Sequence, residues 1–342
     1  MKVSEAGEFG LIELLCRELG VPYPPSPESV PRPGFIVDLG DDAAVMEPSA
    51  DATVWTTDTL VEGVHFLPSR TSWRNTGWKA IAVNVSDVAA MGGTPGTALV
   101  TLCLPPEFCL EHAVELYRGM RECCEAYGVT VSGGDIVRSP VFTVTVAVSG
   151  VVRRGPDGGF AVLRRNACRP GDAVAVSGTL GDAAAGVLLL GAGGAAAAAA
   201  ASLIEAQERP RPRLDVSARA VAAGLRCGMD VSDGLLQDAG HIARASGVRI
   251  RLEAGAVPLS PTLLSAFPER ALELALTGGE DYQLLLCGAR GVIEGLIVEG
   301  ADLTIIGDAL EGEPGVTVIG EDGLERHYPA TGWDHFRSGP RA

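Results

Sequence analysis

Carboxylates recur at five places in the sequence where a strand is expected to end or a helix is otherwise apolar. These places are Gly40-Asp41-Asp42-Ala43, Thr56-Thr57-Asp58-Thr59, Ser86-Asp87, Gly133-Gly134-Asp135 and Asp230-Val231-Ser232-Asp233-Gly234. Several of them carry serine or threonine hydroxyls beside the acid. Carboxylates, hydroxyls and water, without cysteine or histidine, are the ligands that hard divalent cations need. The pattern therefore predicts binding of such cations.

Each acidic segment also has a simpler interpretation, because aspartate in glycine-rich turns often caps a helix or closes the turn. Asp87 is the hardest to explain in this way. It lies in Asn84–Met91, a segment that otherwise has the apolar character of a buried helix. A charge at such a position requires a partner.

Two glycine pairs, Gly133-Gly134 and Gly278-Gly279, permit close approach of the backbone to a phosphate. Gly181 begins a predicted helix whose N-terminus could bind an anion. Glycine pairs usually mark turns, so these signals are weak alone, and they raise the alternative of a dinucleotide-binding oxidoreductase. That alternative is disfavoured because no GxGxxG follows a strand with an acid about 20 residues later.

Five further residues could contact a ligand but have equally simple structural roles. His65 lies in a glycine-containing loop and could contact a phosphate or cap a turn. Glu280 and Asp281 begin an apolar strand, where they could face a cleft or form a solvated turn. Arg165 could pair with nucleotide phosphates or solubilise a linker. Trp333 is either a core residue or a stacking surface for a ring.

Apolar periodicity predicts the elements that must position these residues. Helices are expected at 4–19, 74–91, 107–127, 181–190, 214–226 and 234–245. Strands are expected at 53–57, 96–104, 141–152, 173–177 and 248–252, and near 229, 282–287, 303–306 and 316–319. A proline-rich linker spans 22–33, and a glycine- and alanine-rich segment spans 191–201.

Alternating strands beside amphipathic helices predict an α+β fold of two domains, each a mixed or antiparallel sheet with helices packed on one face. The N-terminal helix and linker occupy 1–34. We expect the first domain at 35–152 and the second at 153–342, because the charged segment 153–170 reads as the boundary.

Composition excludes several classes of protein. Of 342 residues, 46% are hydrophobic and 20% charged, which is typical of a globular chain. A net charge of −16 argues against nucleic-acid binding, and no apolar run of about 18 residues predicts a membrane span. None of the eight cysteines forms a C-x-x-C pair, so we expect small core residues in a reducing cytoplasm rather than a zinc or redox framework.

Eight stretches, taken together, resemble one family. They are GEFGLI at 7–12, GDDAA at 40–44, TDTLVEGVHF at 57–66, KAIAVNVSDVAAMG at 79–92, GGD at 133–135, DVSDGL at 230–235, GGEDY at 278–282 and GWDHF at 332–336. In this order they resemble the thiamine-monophosphate kinases, of the superfamily shared with aminoimidazole ribonucleotide synthetase, selenophosphate synthetase and a hydrogenase-maturation protein. TDTLVEGVHF and GGEDY are specific to the kinase, whereas the acidic clusters indicate only the superfamily.

The resemblance implies an activity and a set of ligands. The activity is ATP-dependent phosphorylation of thiamine monophosphate to thiamine diphosphate, the last step of thiamine diphosphate biosynthesis, by direct Mg²⁺-assisted in-line transfer in a cytoplasmic homodimer. Several Mg²⁺ ions would be held by Asp42, Thr56, Thr57, Asp58, Asp87, Asp135, Asp230 and Asp233. ATP would contact Tyr117, Gly134, Asp135, Arg165 and Ser232, and thiamine monophosphate would contact His65, Glu280 and Trp333. One departure is Ile136-Val137, where the family usually has threonine after the GGD motif.

Two alternatives remain beside this activity. The first is another ATP-dependent synthetase or cyclase of the superfamily. A selenophosphate synthetase would need a reactive cysteine or selenocysteine near the N-terminus, whereas Cys16 lies within a predicted helix. The second is a non-catalytic protein that binds Mg²⁺ and nucleotide. The loss of an acidic cluster would favour that alternative, but all five are intact.

Overall fold

The computed structural model describes residues 2–21, 33–37, 45–46, 50–155, 158–192 and 200–328. The chain forms two compact units, Met1–Val88 with Thr94–Val151 and Ala89–Gly93 with Val152–Ala342. Asp42 and Trp333 lie outside the described residues, as do most of the proline-rich linker and of the glycine- and alanine-rich segment. The residue bounds of the predicted domains stay a prediction.

The first unit is built from helices and a four-stranded sheet. Its helices are α1 (Val3–Glu18), α2 (Trp73–Ala90) and α3 (Leu110–Tyr127). Its strands are β1 (Phe35–Val37), β2 (Val45–Met46), β3 (Ala52–Val61), β4 (Thr94–Leu104), β5 (Thr130–Arg138) and β6 (Thr143–Val152). The sheet order is β3-β6-β4-β5, with β4 parallel to β5 and antiparallel to β6, while β1 and β2 pair separately.

Alternation along the strands gives this sheet one buried face and one open face. In β4 and β6, Val100, Leu102, Val144 and Val146 are almost fully buried. The residues between them are more exposed, as expected for a sheet covered on one side only. The strand β5 was not predicted. Its sequence, TVSGGDIVR, has too few apolar residues to indicate a strand.

The second unit is built around a seven-stranded sheet. Its helices are α4 (Asp182–Ala192), α5 (Ala201–Glu208), α6 (Leu214–Ala222), α7 (Leu235–Ser246), α8 (Pro261–Ala266), α9 (Ala271–Thr277) and α10 (Arg290–Val298). Its strands are β7 (Ala173–Ser177), β8 (Cys227–Val231), β9 (Arg249–Glu253), β10 (Gln283–Gly288), β11 (Leu303–Leu310), β12 (Gly315–Ile319) and β13 (Glu325–Arg326). They lie in the order β13-β12-β9-β11-β7-β10-β8, and only β12 and β9 pair in parallel.

The α+β class with two mixed sheets is confirmed, but helices cover both faces of the second sheet rather than one. Val174 and Val176 of β7 pack in a cluster with α7. The intervening Ala173 and Ala175 pack in another cluster with α6 and α10. The cause is the composition of β7, which has no polar residue before its last position and therefore must be covered on both sides.

Most predicted elements are present with small shifts at their ends. The helices α5, α8, α9 and α10 were not predicted, because the first three have eight residues or fewer and α10 is interrupted by glycine. Among the described residues, no helix is long and apolar enough to cross a membrane.

Two glycines bring the backbones of α2 and α3 into direct contact. A Cβ atom on Gly77 would collide with the carbonyl oxygen of Leu116, and one on Gly119 would collide with that of Arg74. The clash is reciprocal, so each helix depends on glycine at the crossing. Since α2 carries Asp87, this crossing helps to fix the position of that carboxylate.

We expect Gly119→Ala to lower the free energy of unfolding by about 3 kcal/mol, because the added methyl group meets rigid backbone rather than a flexible side chain. The matched control is Gly295→Ala in α10, where nothing lies within 4 Å of the added Cβ. That change should raise stability by up to about 1 kcal/mol through helix propensity. Thermal and urea unfolding measure both effects. A Gly119→Ala protein as stable as the parent would show that the helices do not approach so closely.

Candidate functional site

In the first unit, β3 and α2 bring a hydroxyl and a carboxylate together. Thr56 Oγ1 donates a hydrogen bond to Asp87 Oδ2, and both side chains are partly buried. Asp87 is surrounded in α2 by fully buried residues such as Val85 and Val88. Thr56 therefore supplies a partner of the kind that a charge on this apolar helix requires. Asp58 lies two residues further along β3 and so faces the same side of the sheet as Thr56.

Thr57 and Thr59 point to the other side of β3. Thr57 Oγ1 donates to the carbonyl oxygen of Val146 in β6, at 3.1 Å. Thr59 Oγ1 lies 2.8 Å from Thr145 Oγ1 in the same neighbouring strand. The Thr57 hydroxyl thus already bonds within the sheet, although its oxygen can still accept or coordinate.

Asp135 is not brought beside Asp58 and Asp87 in this unit. It lies within β5 rather than after a strand, and it is paired in register with Thr101, which is paired with Thr145. Because Thr145 contacts Thr59, the Asp135 side chain lies on the open face of the sheet. It is exposed, and its Oδ1 accepts a hydrogen bond from its neighbour's amide at 2.9 Å. The predicted ligands of this unit therefore form two groups.

Two predicted nucleotide contacts in this unit have structural roles. Gly134 lies where a Cβ would collide with the carbonyl oxygen of Val100, so glycine is needed for β5 to pair with β4. Tyr117 is buried in α3, with 7% of its surface exposed. Burial raises the pKa of its phenol, and the nearby Cys16 adds to this effect. The position of Tyr117 does not support a nucleotide contact.

His65 closes the loop that follows β3. Its Nδ1 accepts a hydrogen bond from the amide of Val61 at 3.0 Å, and its own amide donates to the Val61 carbonyl at 3.0 Å. The acceptor role of Nδ1 places the proton of the neutral ring on Nε2. The turn-closing role considered for His65 is therefore present and uses the Nδ1 side of the ring.

In the second unit, β8 ends in the acidic turn 230–234. Asp230 is buried, and Asp233 is half-buried with its Oδ2 accepting from Gln237 Nε2 at 2.9 Å. The N-cap of α7 is Gly234, with φ 124°, and it makes no side-chain cap bond. Asp238 Oδ2 instead accepts from the amides of Asp233 and Gly234, at 3.1 Å each. Asp233 therefore does not cap the helix.

Asp238 and His241 belong to this acidic group and were not predicted. Ligand atoms of Asp233, Asp238 and His241 lie within 4.8 Å of one another. Burial, with the charges of Asp233 and Asp230, raises the pKa of Asp238 to about 8. Burial and the nearby arginines lower the pKa of His241. Asp87 was singled out because an acid on the apolar face of a helix requires a partner. The same signal could have indicated Asp238 as a candidate site residue.

The segment 277–282 lies directly against the acidic turn. The Glu280 amide donates to the Ser232 carbonyl at 2.8 Å, and the Tyr282 amide donates to that of Val231 at 2.9 Å. A Cβ on Gly234 would lie 2.8 Å from Thr277 O, and one on Gly279 would lie 2.6 Å from Ser232 O. These glycines permit contact between two backbones, and the approach of the pair Gly278-Gly279 to a phosphate stays a prediction.

Backbone strain is concentrated in the same segment. Glu280 and Tyr282 have φ angles of 70° and 50°. This left-handed region is costly for residues other than glycine and is maintained only where the surroundings enforce it. The contacts with Ser232 and Val231 supply that enforcement, and they fix the direction in which Glu280 leaves the backbone.

The two acids of the GGEDY motif have different roles. Asp281 is buried and accepts from the amides of Gly181 and Ala183, at 2.7 and 3.2 Å, so it occupies the N-terminus of α4 that we considered for an anion. Burial raises the pKa of Asp281 to about 7, although the two amides oppose the shift. Glu280 is half-buried, and its Oε2 accepts from Gln207 Nε2 at 3.4 Å.

Gln207 was not predicted as a site residue. It lies in α5, only 5% of its surface is exposed, and its Oε1 has no hydrogen-bond partner among the described residues. A buried acceptor without a donor is costly. Gln207 therefore offers a hydrogen-bond acceptor beside Glu280.

Arg165, which was predicted to contact ATP, is exposed, and its carbonyl accepts from Ser246 Oγ at 2.8 Å.

Comparison with known proteins decides the family. Residues 40–152 match the family described as AIR synthase related protein, N-terminal domain, and residues 169–321 match its C-terminal domain. The chain is 38% identical over 340 residues to the thiamine-monophosphate kinase of Aquifex aeolicus. The aligned residues cover 98% of this chain and 100% of that protein. The chain belongs to the thiamine-monophosphate kinase family. The family that the motifs indicated is thus confirmed, and with it the class of enzyme, a phosphotransferase.

Solved structures of thiamine-monophosphate kinases agree with this result. One, described as AaThiL complexed with AMPPCP and TMP, has a TM-score of 0.74 and 38% identity, covering 98% of this chain and 99% of that one. The kinase of Stenotrophomonas maltophilia K279a has a TM-score of 0.78 and 35% identity, covering 93% and 97%. The hydrogenase maturation protein HypE, at 18% identity and a TM-score of 0.72, shares the fold.

Asp233→Asn separates metal binding from structure, because Asp233 does not cap α7 and asparagine can keep the contact with Gln237. Metal-free thermal stability should stay level or rise slightly, since the change removes one of the negative charges crowded around Asp238. If Asp233 binds Mg²⁺, the kinase turnover should fall about a hundredfold, with partial rescue by excess Mg²⁺. Asp322→Asn, at an exposed turn, is the control. Full activity of Asp233→Asn at low Mg²⁺ would remove this residue from the site.

Proposed function

We propose that this protein transfers the γ-phosphoryl group of ATP to thiamine monophosphate, giving ADP and thiamine diphosphate, the last step in making that cofactor. The observation that carries the proposal is the contact between Glu280 and Ser232. It joins the segment specific to this kinase family to the acidic turn common to the superfamily. The ligands named for the AaThiL structure, AMPPCP and TMP, support the same reaction.

The donor set fits Mg²⁺. In the first unit the oxygens of Thr56, Asp58 and Asp87 share one side of β3, and in the second unit Asp230 and Asp233 lie close enough to raise the pKa of Asp238. Oxygen ligands of this kind suit a hard cation. Bound Mg²⁺ would neutralise phosphate charge and hold donor and acceptor in line. Asp42, Thr57 and Asp135 complete the proposed ligands.

Substrate recognition would rest on charge and hydrogen bonding. The thiazolium ring is a cation, so the Glu280 carboxylate is a suitable counter-charge, with Trp333 as a stacking face. His65 would bind through Nε2. The ATP contacts proposed for Gly134, Asp135, Arg165 and Ser232 also remain. Gln207 would hold the Glu280 carboxylate through Nε2 and offer Oε1 to the substrate.

The reaction requires no general base from the protein. The acceptor is a phosphate monoester whose second pKa is about 6, so it is largely ionised at neutral pH. The main task of the residues named above is therefore to bring anions together in a protein of net charge −16. The direct test is to incubate the purified protein with Mg·ATP and thiamine monophosphate and to measure thiamine diphosphate, with and without a chelator.

Variants of the Glu280 group test the assignment of the substrate. Glu280→Gln should raise the KM for thiamine monophosphate by roughly ten- to a hundredfold, because a charged contact is lost, and leave the KM for ATP nearly unchanged. We expect His65→Ala to act in the same direction, and Gln207→Leu to do so more weakly. Glu273→Gln, on the exposed side of α9, is the control. Equal changes in both KM values would place these residues outside the thiamine monophosphate site.

We also propose a homodimer formed through the open face of the first sheet. Trp55, Leu99 and Val137 are 64%, 44% and 41% exposed on β3, β4 and β5, and the register places them on the face of Thr59 and Asp135. Exposed apolar groups on one sheet face favour burial against a second copy.

Light scattering tests the proposed dimer. The parent protein should give twice the chain mass, and Trp55→Glu should give monomers. Leu324→Glu, in the second unit, is the control. A monomeric parent at micromolar concentration would contradict the dimer.

A further inference from the structure

Three cysteines that are distant in sequence meet in the core of the second unit. The sulfur atoms of Cys168, Cys227 and Cys287 lie within 4.8 Å of one another, and all three residues are buried. Cys227 begins β8 and is paired in register with Cys287 of β10, so both side chains leave the same face of the sheet. Cys168 reaches them from the segment that precedes β7. No spacing in the sequence indicates this cluster, because about sixty residues separate its members.

The polar contacts of the cluster favour a negative sulfur. The Cys168 and Cys287 thiols hydrogen-bond to the Cys227 sulfur, and with the Ala167 amide they lower the pKa of Cys227 against its burial. The same mutual contacts, with burial, raise the pKa of Cys168 and of Cys287, so the negative charge is concentrated on the Cys227 sulfur. The thiolate is the form that binds metals. The wall around the sulfurs is apolar and includes Val174 and Leu285.

We propose that Cys168, Cys227 and Cys287 form a binding site for one thiophilic d¹⁰ cation, held by three sulfur ligands. Thiolates select soft cations over Mg²⁺, so the site would not compete for the ion of the phosphoryl transfer. With metal–sulfur bonds of about 2.3 Å, three sulfurs around one ion are roughly 4 Å apart, which the observed spacing permits. Binding forms three metal–sulfur bonds and releases the thiol protons to solvent.

The surface segment around Cys168 provides a route for the cation. Arg164, Arg165 and Arg169 are exposed, while Cys168 between them is buried. Ser246, at the end of α7, holds this segment through two hydrogen bonds. Its Oγ accepts from the Cys168 amide at 3.1 Å and donates to the Arg165 carbonyl at 2.8 Å. Arg164 is also bonded to the residue that precedes β8, where its amide donates to the Arg226 carbonyl at 2.9 Å, so opening the two Ser246 bonds would release only the part of the segment that follows Arg164.

The probe is Cd²⁺, added to the reduced full-length protein in excess Mg²⁺, which occupies carboxylate sites. We expect one tightly bound Cd²⁺ per chain by equilibrium dialysis, an ultraviolet sulfur-to-cadmium charge-transfer band, and a rise in Tm with Cd²⁺ concentration. Cys168→Ala and Cys227→Ala should each abolish the band and weaken binding about a hundredfold. Cys123→Ala, which removes a buried thiol outside the cluster, should keep all three signals.

Two outcomes would overturn the proposal. One is a parent protein without the charge-transfer band, which would leave the three cysteines as core residues only. The other is a band that survives in Cys168→Ala, which would place the cadmium elsewhere. Cys168 belongs to no strand, so its variant remains informative if Cys227→Ala fails to fold, and metal-free circular dichroism checks that both variants are native. Kinase activity without Cd²⁺ should stay unchanged in Cys168→Ala.

Discussion

The contact between the 277–282 segment and the acidic turn 230–234 is the constraint on which the site in the second unit depends. Two backbones approach so closely that glycine is required at 234 and 279. Glu280 and Tyr282, in the same contact, adopt left-handed conformations. The hydrogen bonds from the amides of Glu280 and Tyr282 hold this arrangement. The Glu280 carboxylate and the acidic turn, to which we assign substrate and metal binding, are thereby set by backbone geometry, which side-chain rotation cannot alter.

The same arrangement crowds negative charge. Asp230, Asp233 and Asp238 lie close enough that their mutual repulsion, added to burial, keeps Asp238 protonated up to a pH of about 8. The folded protein tolerates this because Asp238 is held by two amides and because Asp233 is bound by Gln237. If this turn binds Mg²⁺ as proposed, the cation would offset the repulsion among these carboxylates, and the metal-free protein would be the less stable form.

Sequence reasoning succeeded where local chemistry determines position. The period of the apolar residues located α2, and the charge of Asp87 on that helix correctly required a partner. The sequence alone could not identify Thr56 as a partner of Asp87, because that contact depends on how α2 lies on β3. Nor could it separate Glu280 from Asp281, since adjacent acids look alike until one of them meets the N-terminus of α4.

Other residues were hidden for different physical reasons. The glycines of β5 lowered its strand signal, so Asp135 was expected at a strand end rather than within a strand. Gln207 carries no charge and lies in a short helix, so only its burial beside Glu280 distinguishes it. Cys168, Cys227 and Cys287 meet through strand pairing between β8 and β10, which no spacing rule encodes.

The crossing of α2 and α3 has a consequence for motion. Because the helices touch backbone to backbone at Gly77 and Gly119, the crossing opposes sliding of α2 along α3 more strongly than it opposes a small tilt of α2. Asp87 lies ten residues beyond Gly77, or about 15 Å along the helix axis. A tilt of about 5° therefore moves the Asp87 carboxylate by roughly 1 Å, which is enough to make or break a bond to a cation. If Asp87 binds Mg²⁺ as proposed, a small rotation of α2 about the glycine crossing would change the coordination of the ion at the far end of the helix.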